Sequence, residues 1–115
     1  MVEYSSHLDA VFHALADPTR RAMLGSLAER ELTIGELATP FHMSFAGASK
    51  HVRVLEKAGL VKRTIQGRTH SCRLDAARLA EANAWLRYYE RFWNAKLDAL
   101  EALLIEEDKA KKVRE

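Results

Sequence analysis

The chain has 115 residues, 48% of them hydrophobic and 30% charged, which predicts one soluble globular domain and excludes a disordered or fibrous protein. Its apolar runs are only a few residues long, so no membrane span is expected, and residues 1–16 carry Glu3 and Asp9 without a basic opening, unlike a signal peptide. The net charge of +2 hides a block: residues 44–73 hold seven Lys/Arg (Lys50, Arg53, Lys57, Lys62, Arg63, Arg68, Arg73) against Glu56 alone, while acidic residues outnumber basic ones in 1–43 and 74–108. Such a patch is the footprint expected for docking on DNA or RNA, the alternative being a solvated basic surface.

In chain order, Ser5 or Ser6 is placed to cap a first helix with Leu8, Val11, Phe12 and Leu15 at helical spacing. Asp17-Pro18 reads as the start of a second helix, with Asp as N-cap and Pro at the first helical position, where its missing N–H costs nothing. Met23, Leu24 and Leu27 then share one face. Thr33-Ile34-Gly35-Glu36 has capping-box form, and Ile34, Leu37 and Ala38 face inward. Pro40 argues against a continuous helix through to Ser44. Ser44 caps the next helix, Phe45 to Ala58, which Gly59 closes in the left-handed conformation. Residues 60–65 and 69–74 read as strands joined by the turn Gln66-Gly67-Arg68. Asp75 caps a long last helix to about Glu107, and residues 109–115 form a charged flexible tail. The fold class is mainly α with a small β-hairpin, in the order α-α-α-α-β-β-α. This is a winged helix-turn-helix over residues 1–108 that dimerises through its terminal helices.

The helix after Ser44 divides into two faces. Ala48, Val52, Leu55 and His51 point to the core, while Phe45, Ala46, Gly47, Ser49, Lys50 and Arg53 point outward. Small residues at 46–49 allow close approach to base edges, and Lys50 and Arg53 can neutralise phosphates or bond guanine. Ser44 and Ser49 can donate to phosphate beside the helix N-terminus, and Phe45 could touch a thymine methyl or fold back on the domain. The hairpin adds Arg63, Gln66, Arg68 and Thr69, with Arg68 at the tip best placed for phosphate or the minor groove.

Asp17-Pro18-Thr19-Arg20-Arg21, Thr33-Ile34-Gly35-Glu36-Leu37-Ala38 and Ser49-Lys50-His51-Val52-Arg53-Val54-Leu55-Glu56-Lys57-Ala58-Gly59-Leu60-Val61 resemble the ArsR family of bacterial winged-helix repressors, over roughly residues 6–100. The resemblance implies a homodimer that binds an imperfect inverted repeat in double-stranded DNA at a promoter and blocks transcription. The chain departs from the metal-sensing branches of that family: residues 33–38 contain no cysteine, where one branch has its thiols, and residues 75–107 contain no histidine, where another has Asp/His pairs. No metal and no cofactor are therefore expected. His70 and Cys72, two apart on one strand, share a side and leave a metal- or redox-responsive sensor as the alternative. As the single cysteine, Cys72 cannot form an intramolecular disulfide, which fits a reducing cytoplasm.

Leu79, Leu86, Trp93 and Leu100 recur every seven residues, with Ala82, Tyr89 and Leu103 at a second seam position interrupted by Lys96. With Trp85, Tyr88, Phe92, Leu97 and Leu104 this is more apolar surface than one small domain hides, and it predicts a helix pair between subunits, joined by Leu8 and Phe12 of the first helix. An intradomain core helix and an aromatic-lined ligand pocket are the alternatives. No Ser/His/Asp set, phosphate-cradling glycine loop or carboxylate pair marks an enzyme. The operator and any small-molecule effector leave no mark in the sequence.

Overall fold

Helix starts organise the structure. In the computed structural model, which describes the backbone of residues 2–114 and the side chains of residues 7–113, Asp17 lies in extended backbone. Its carboxylate accepts the Arg20 N–H at 3.0 Å, so Pro18 opens α2 (Pro18–Glu29). Thr33 and Glu36 close the expected capping box: the Thr33 hydroxyl accepts the Glu36 N–H (3.1 Å), and the Glu36 carboxylate accepts the Thr33 N–H (2.9 Å). That box holds α3 (Ile34–Ala38), a five-residue helix too short to stand without tertiary packing. Beyond it a 3-10 turn carries Pro40, and His42 takes a left-handed φ of 53° that ends the helical path. Ser44 then accepts the Gly47 N–H at 3.0 Å and starts α4 (Phe45–Lys57). The first helix, α1 (Val2–Leu15), begins before Ser5 and Ser6, which lie inside it and not at its cap.

The end of α4 is a Schellman motif. The Leu60 N–H donates to the Leu55 carbonyl (3.0 Å) and the Gly59 N–H to the Glu56 carbonyl (2.9 Å), with Gly59 at φ 76°. The chain turns at once into β2 (Val61–Gln66), which pairs antiparallel with β3 (Thr69–Leu74) in the register Val61↔Leu74 to Gln66↔Thr69. Gly67 is at φ 61° and Arg68 is not in the positive-φ region, the pattern of a two-residue type II′ hairpin turn. A strand the sequence did not announce, β1 (Leu32–Thr33), pairs with the other side of β3 through Leu32↔Cys72 and Thr33↔Ser71, giving a sheet of order β1-β3-β2.

The chain forms two compact units, Met1–Ala82 and Asn83–Glu115. In the first, Val11 and Ala14 of α1, Met23 and Leu27 of α2, Ile34 and Leu37 of α3 and Val52 and Leu55 of α4 close over Leu32, Leu60, Val61 and Cys72. Each large side chain so buried contributes about 1.5–3 kcal/mol. Leu8, Phe12 and Leu79 are partly buried against this core.

The expected single helix from Asp75 to Glu107 is in fact two, α5 (Ala77–Arg87) and α6 (Glu90–Arg114). At the break the Tyr89 N–H bonds the Leu86 carbonyl (2.9 Å) and the Phe92 N–H bonds the Tyr89 carbonyl (3.0 Å), tighter than α-helical pairing. Arg87 ends one helix and Glu90 begins the next, each with the charge that its helix dipole favours. Tyr89 packs tilted against Trp85 and edge-on to Tyr88, with both ring centroids 4.9 Å away. Residues 109–114, expected as a frayed tail, continue α6, where Glu107/Lys111 and Asp108/Lys112 fall at the favourable i,i+4 spacing.

Candidate nucleic-acid interface

Helix α4 presents its N-terminal half outward. Phe45 is 55% exposed, and Ser44, Ala46, Lys50 and Arg53 are exposed with it. Gly47 is half-buried under the cap: a Cβ there would meet the Ser44 Oγ at 3.4 Å. Ser49 departs from expectation. It is buried, at 8% exposure, because it lies one turn before Val52 on the face that packs inward and not on the face of Lys50 and Arg53. His51, expected in the core, is half-buried beside the start of α2. Its Nδ1 lies 3.5 Å from the Arg20 guanidinium, which also donates to the Ala14 carbonyl (2.8 Å) and the His13 carbonyl (2.9 Å). Arg20 thus links the end of α1 to α4.

On the hairpin, Gln66, Arg68 and Thr69 are exposed around the tip. Arg63, expected to face a nucleic acid, does not project. Its side chain is 13% exposed, one terminal nitrogen donates to the Glu56 carboxylate on α4 at 2.5 Å, and the other lies 3.0 Å from the His70 Nδ1 on β3. A guanidinium has no acceptor, so that His70 nitrogen receives the hydrogen bond. The sequence placed Arg63 by charge alone, and Glu56 and His70 become its neighbours only when the hairpin folds along α4. Lys57 and Arg73 are exposed cations left out of the expected contact set, although both lie in the basic block.

The second reading of the hairpin, through Cys72 and His70, meets a specific geometry. Cys72 is fully buried opposite Arg63, and burial pushes its thiol up, away from the thiolate that binds metals or reacts. The His70 Nδ1 is engaged by Arg63, and its ring stands edge-on to Phe45 with centroids 6.4 Å apart. Among the described residues no group of three or more His, Cys, Asp or Glu is placed to hold a metal ion.

Residues 15–64, from the end of α1 into β2, match the family described as "Helix-turn-helix domain". HTH-type transcriptional regulator Rv2034 of Mycobacterium tuberculosis is 36% identical over 96 residues, 84% of this chain and 87% of that protein. A crystal structure of an ArsR family transcriptional regulator superposes with a TM-score of 0.73 at 38% identity, over 78% of this chain and 93% of that one. This chain belongs to the ArsR family of transcriptional regulators. A further relative, the transcriptional repressor SdpR of Bacillus subtilis, is 29% identical over 79 residues, 69% of this chain and 88% of that protein. In the ArsR fold seen here α3 and α4 are the helix-turn-helix pair and β2–β3 the wing. Proteins of this family act on DNA as regulators and not as enzymes. Among the described residues no helix is long and apolar enough to cross a membrane.

Proposed function

We propose that this ArsR-family chain is a cytoplasmic homodimeric repressor that sets α4 in the major groove and the wing on the flanking backbone of an inverted-repeat operator, blocking transcription. The observation that carries the reading is the shared exposure of Lys50 and Arg53 on α4 and Arg68 at the wing tip, within a block of seven basic residues against Glu56 alone. The contact set proposed is Ser44, Phe45, Ala46, Gly47, Lys50, Arg53, Gln66, Arg68 and Thr69, with the small side chains at 46 and 47 admitting base edges and the cations meeting phosphate or guanine. The relative named as a transcriptional repressor supports the sign of control.

The dimer is supported by the apolar surface of α5 and α6. Trp85, Leu86, Tyr89, Trp93, Leu97, Leu100 and Leu104 are each 39% exposed or more. A patch of that kind marks an interface. In this reading Leu86, Tyr89, Trp93 and Leu100 line the seam, and Leu8, Phe12 and Leu79, each already partly packed on the core, are the further residues proposed for the interface.

Selection of bound duplexes from random DNA tests the reading, and an inverted repeat with half-sites about one helical turn apart is the expected product. On that duplex, Lys50→Ala and Arg68→Ala each weaken binding without lowering the melting temperature. Where the lost contact is to phosphate, the slope of log affinity against log salt falls by about one. Recovery of no sequence at low ionic strength, or affinities unchanged in both variants, would overturn it.

A further inference from the structure

We propose that Arg63 is a positioning residue and not a DNA contact. With Glu56 and His70 it forms a clip that holds the wing at a set angle to α4, so that Lys50, Arg53 and Arg68 meet DNA as one surface. The inference rests on the DNA-binding reading above. Three elements meet at one guanidinium: Glu56 comes from α4, Arg63 from β2 and His70 from β3. The two polar links are 2.5 Å and 3.0 Å long, and the arginine carrying them is 13% exposed. Its Nε is buried without a partner, so the guanidinium is drawn inward at a cost, the opposite of a side chain reaching for solvent phosphate. His70 carries the link onward to Phe45, at the other end of α4 from Glu56, through their edge-on ring contact. The clip therefore touches both ends of the recognition helix. At its base the wing also meets α4 through the turn at Gly59 and through Val61 and Cys72, which share the buried core with Val52 and Leu55. Arg63 lies directly across from buried Cys72, which fixes its root, and Ile65 lies across from His70. The polar side chains meeting at this point are Glu56, Arg63 and His70, with the buried Cys72 thiol directly across from Arg63.

Glu56 makes the idea testable by sign. It is the one acidic residue in the basic block. Were it a bystander, Glu56→Gln would remove an anion from a DNA-facing surface and tighten binding. If it holds the wing, the same change weakens binding. The experiment measures fluorescence anisotropy on the selected duplex for the parent, Glu56→Gln, Arg63→Glu and the exchanged pair Glu56→Arg/Arg63→Glu, together with amide hydrogen exchange of residues 61–74 in the free proteins. The expected result is binding weaker on the order of tenfold for Glu56→Gln, faster exchange across the hairpin, and an exchanged pair closer to the parent than Arg63→Glu alone. Tighter or unchanged binding by Glu56→Gln with hairpin protection intact overturns the proposal. So does an exchanged pair as defective as Arg63→Glu, which would place Arg63 on DNA. A parent chain that selects no duplex refutes the DNA-binding reading instead. The exchange measurement then still decides whether the clip holds the wing.

Discussion

Asp17, Glu36 and Asp75 each sit at a helix start with a backbone N–H aimed at the carboxylate. The Arg20 N–H holds the Asp17 carboxyl below the usual range, the Thr33 N–H and hydroxyl do so for Glu36, and the Ala77 N–H, aided by the Lys62 ammonium at 3.6 Å, for Asp75. A carboxyl that titrates lower in the folded chain stabilises it above the ordinary value of about 4, and that contribution is lost as pH falls through the lowered folded value. Asn caps nearly as well as Asp but does not titrate. The double variant Asp17→Asn/Asp75→Asn is therefore expected to lose less melting temperature than the parent between about pH 6 and pH 3, measured by circular dichroism. Parallel curves would count against the account. These caps were legible in the sequence because donor and acceptor lie within three residues of each other. The burial of Arg63 was not, because it is decided by partners brought in by folding: Arg63 meets Glu56 and His70, each seven residues away, only once the hairpin lies on α4.

At the scale of elements, the two glycines that steer the chain into and around the wing differ in what surrounds them. Both have positive φ, but a Cβ on Gly59 would stand 2.9 Å from the Arg78 Cγ, whereas nothing lies within 4 Å of one on Gly67. Arg78 in turn donates to Glu81 and to His7, so displacing it disturbs the start of α5. Gly67→Ala is expected to cost about 1–2 kcal/mol from backbone strain alone, and Gly59→Ala more than that, with a correspondingly lower melting temperature. Equal losses would show that Arg78 moves aside freely. The order of helices and the hairpin were legible because each boundary has its own chemistry: Asp17-Pro18, the Thr33 box, Ser44 and Gly59. Strand β1 is two residues long and exists only because β3 offers an edge, so no local pattern marks it. The break at Tyr88–Tyr89 has neither glycine nor proline to announce it, and heptad spacing runs through it undisturbed.

For the molecule as a whole, α6 poses the largest unpaid requirement. It is a 25-residue helix whose large apolar side chains from Phe92 to Ile105 are 43–61% exposed, and helices gain most of their stability by packing such faces. Two copies seated against one another along this helix would satisfy it. Trp93→Asp/Leu100→Asp is expected to shift sedimentation from dimer to monomer and to cut operator affinity, while the packed core of residues 11–82 survives. A variant that remains dimeric would place the seam elsewhere. The sheet adds a mechanical consequence. Because β1 pairs only with Ser71 and Cys72, the sheet is three strands wide where Arg63 and Thr64 face them and two strands wide from Ile65 to His70. It is a cantilever, stiff where it is braced and compliant at its free end, so the tip that carries Arg68 can shift while the base of the beam keeps its bearing.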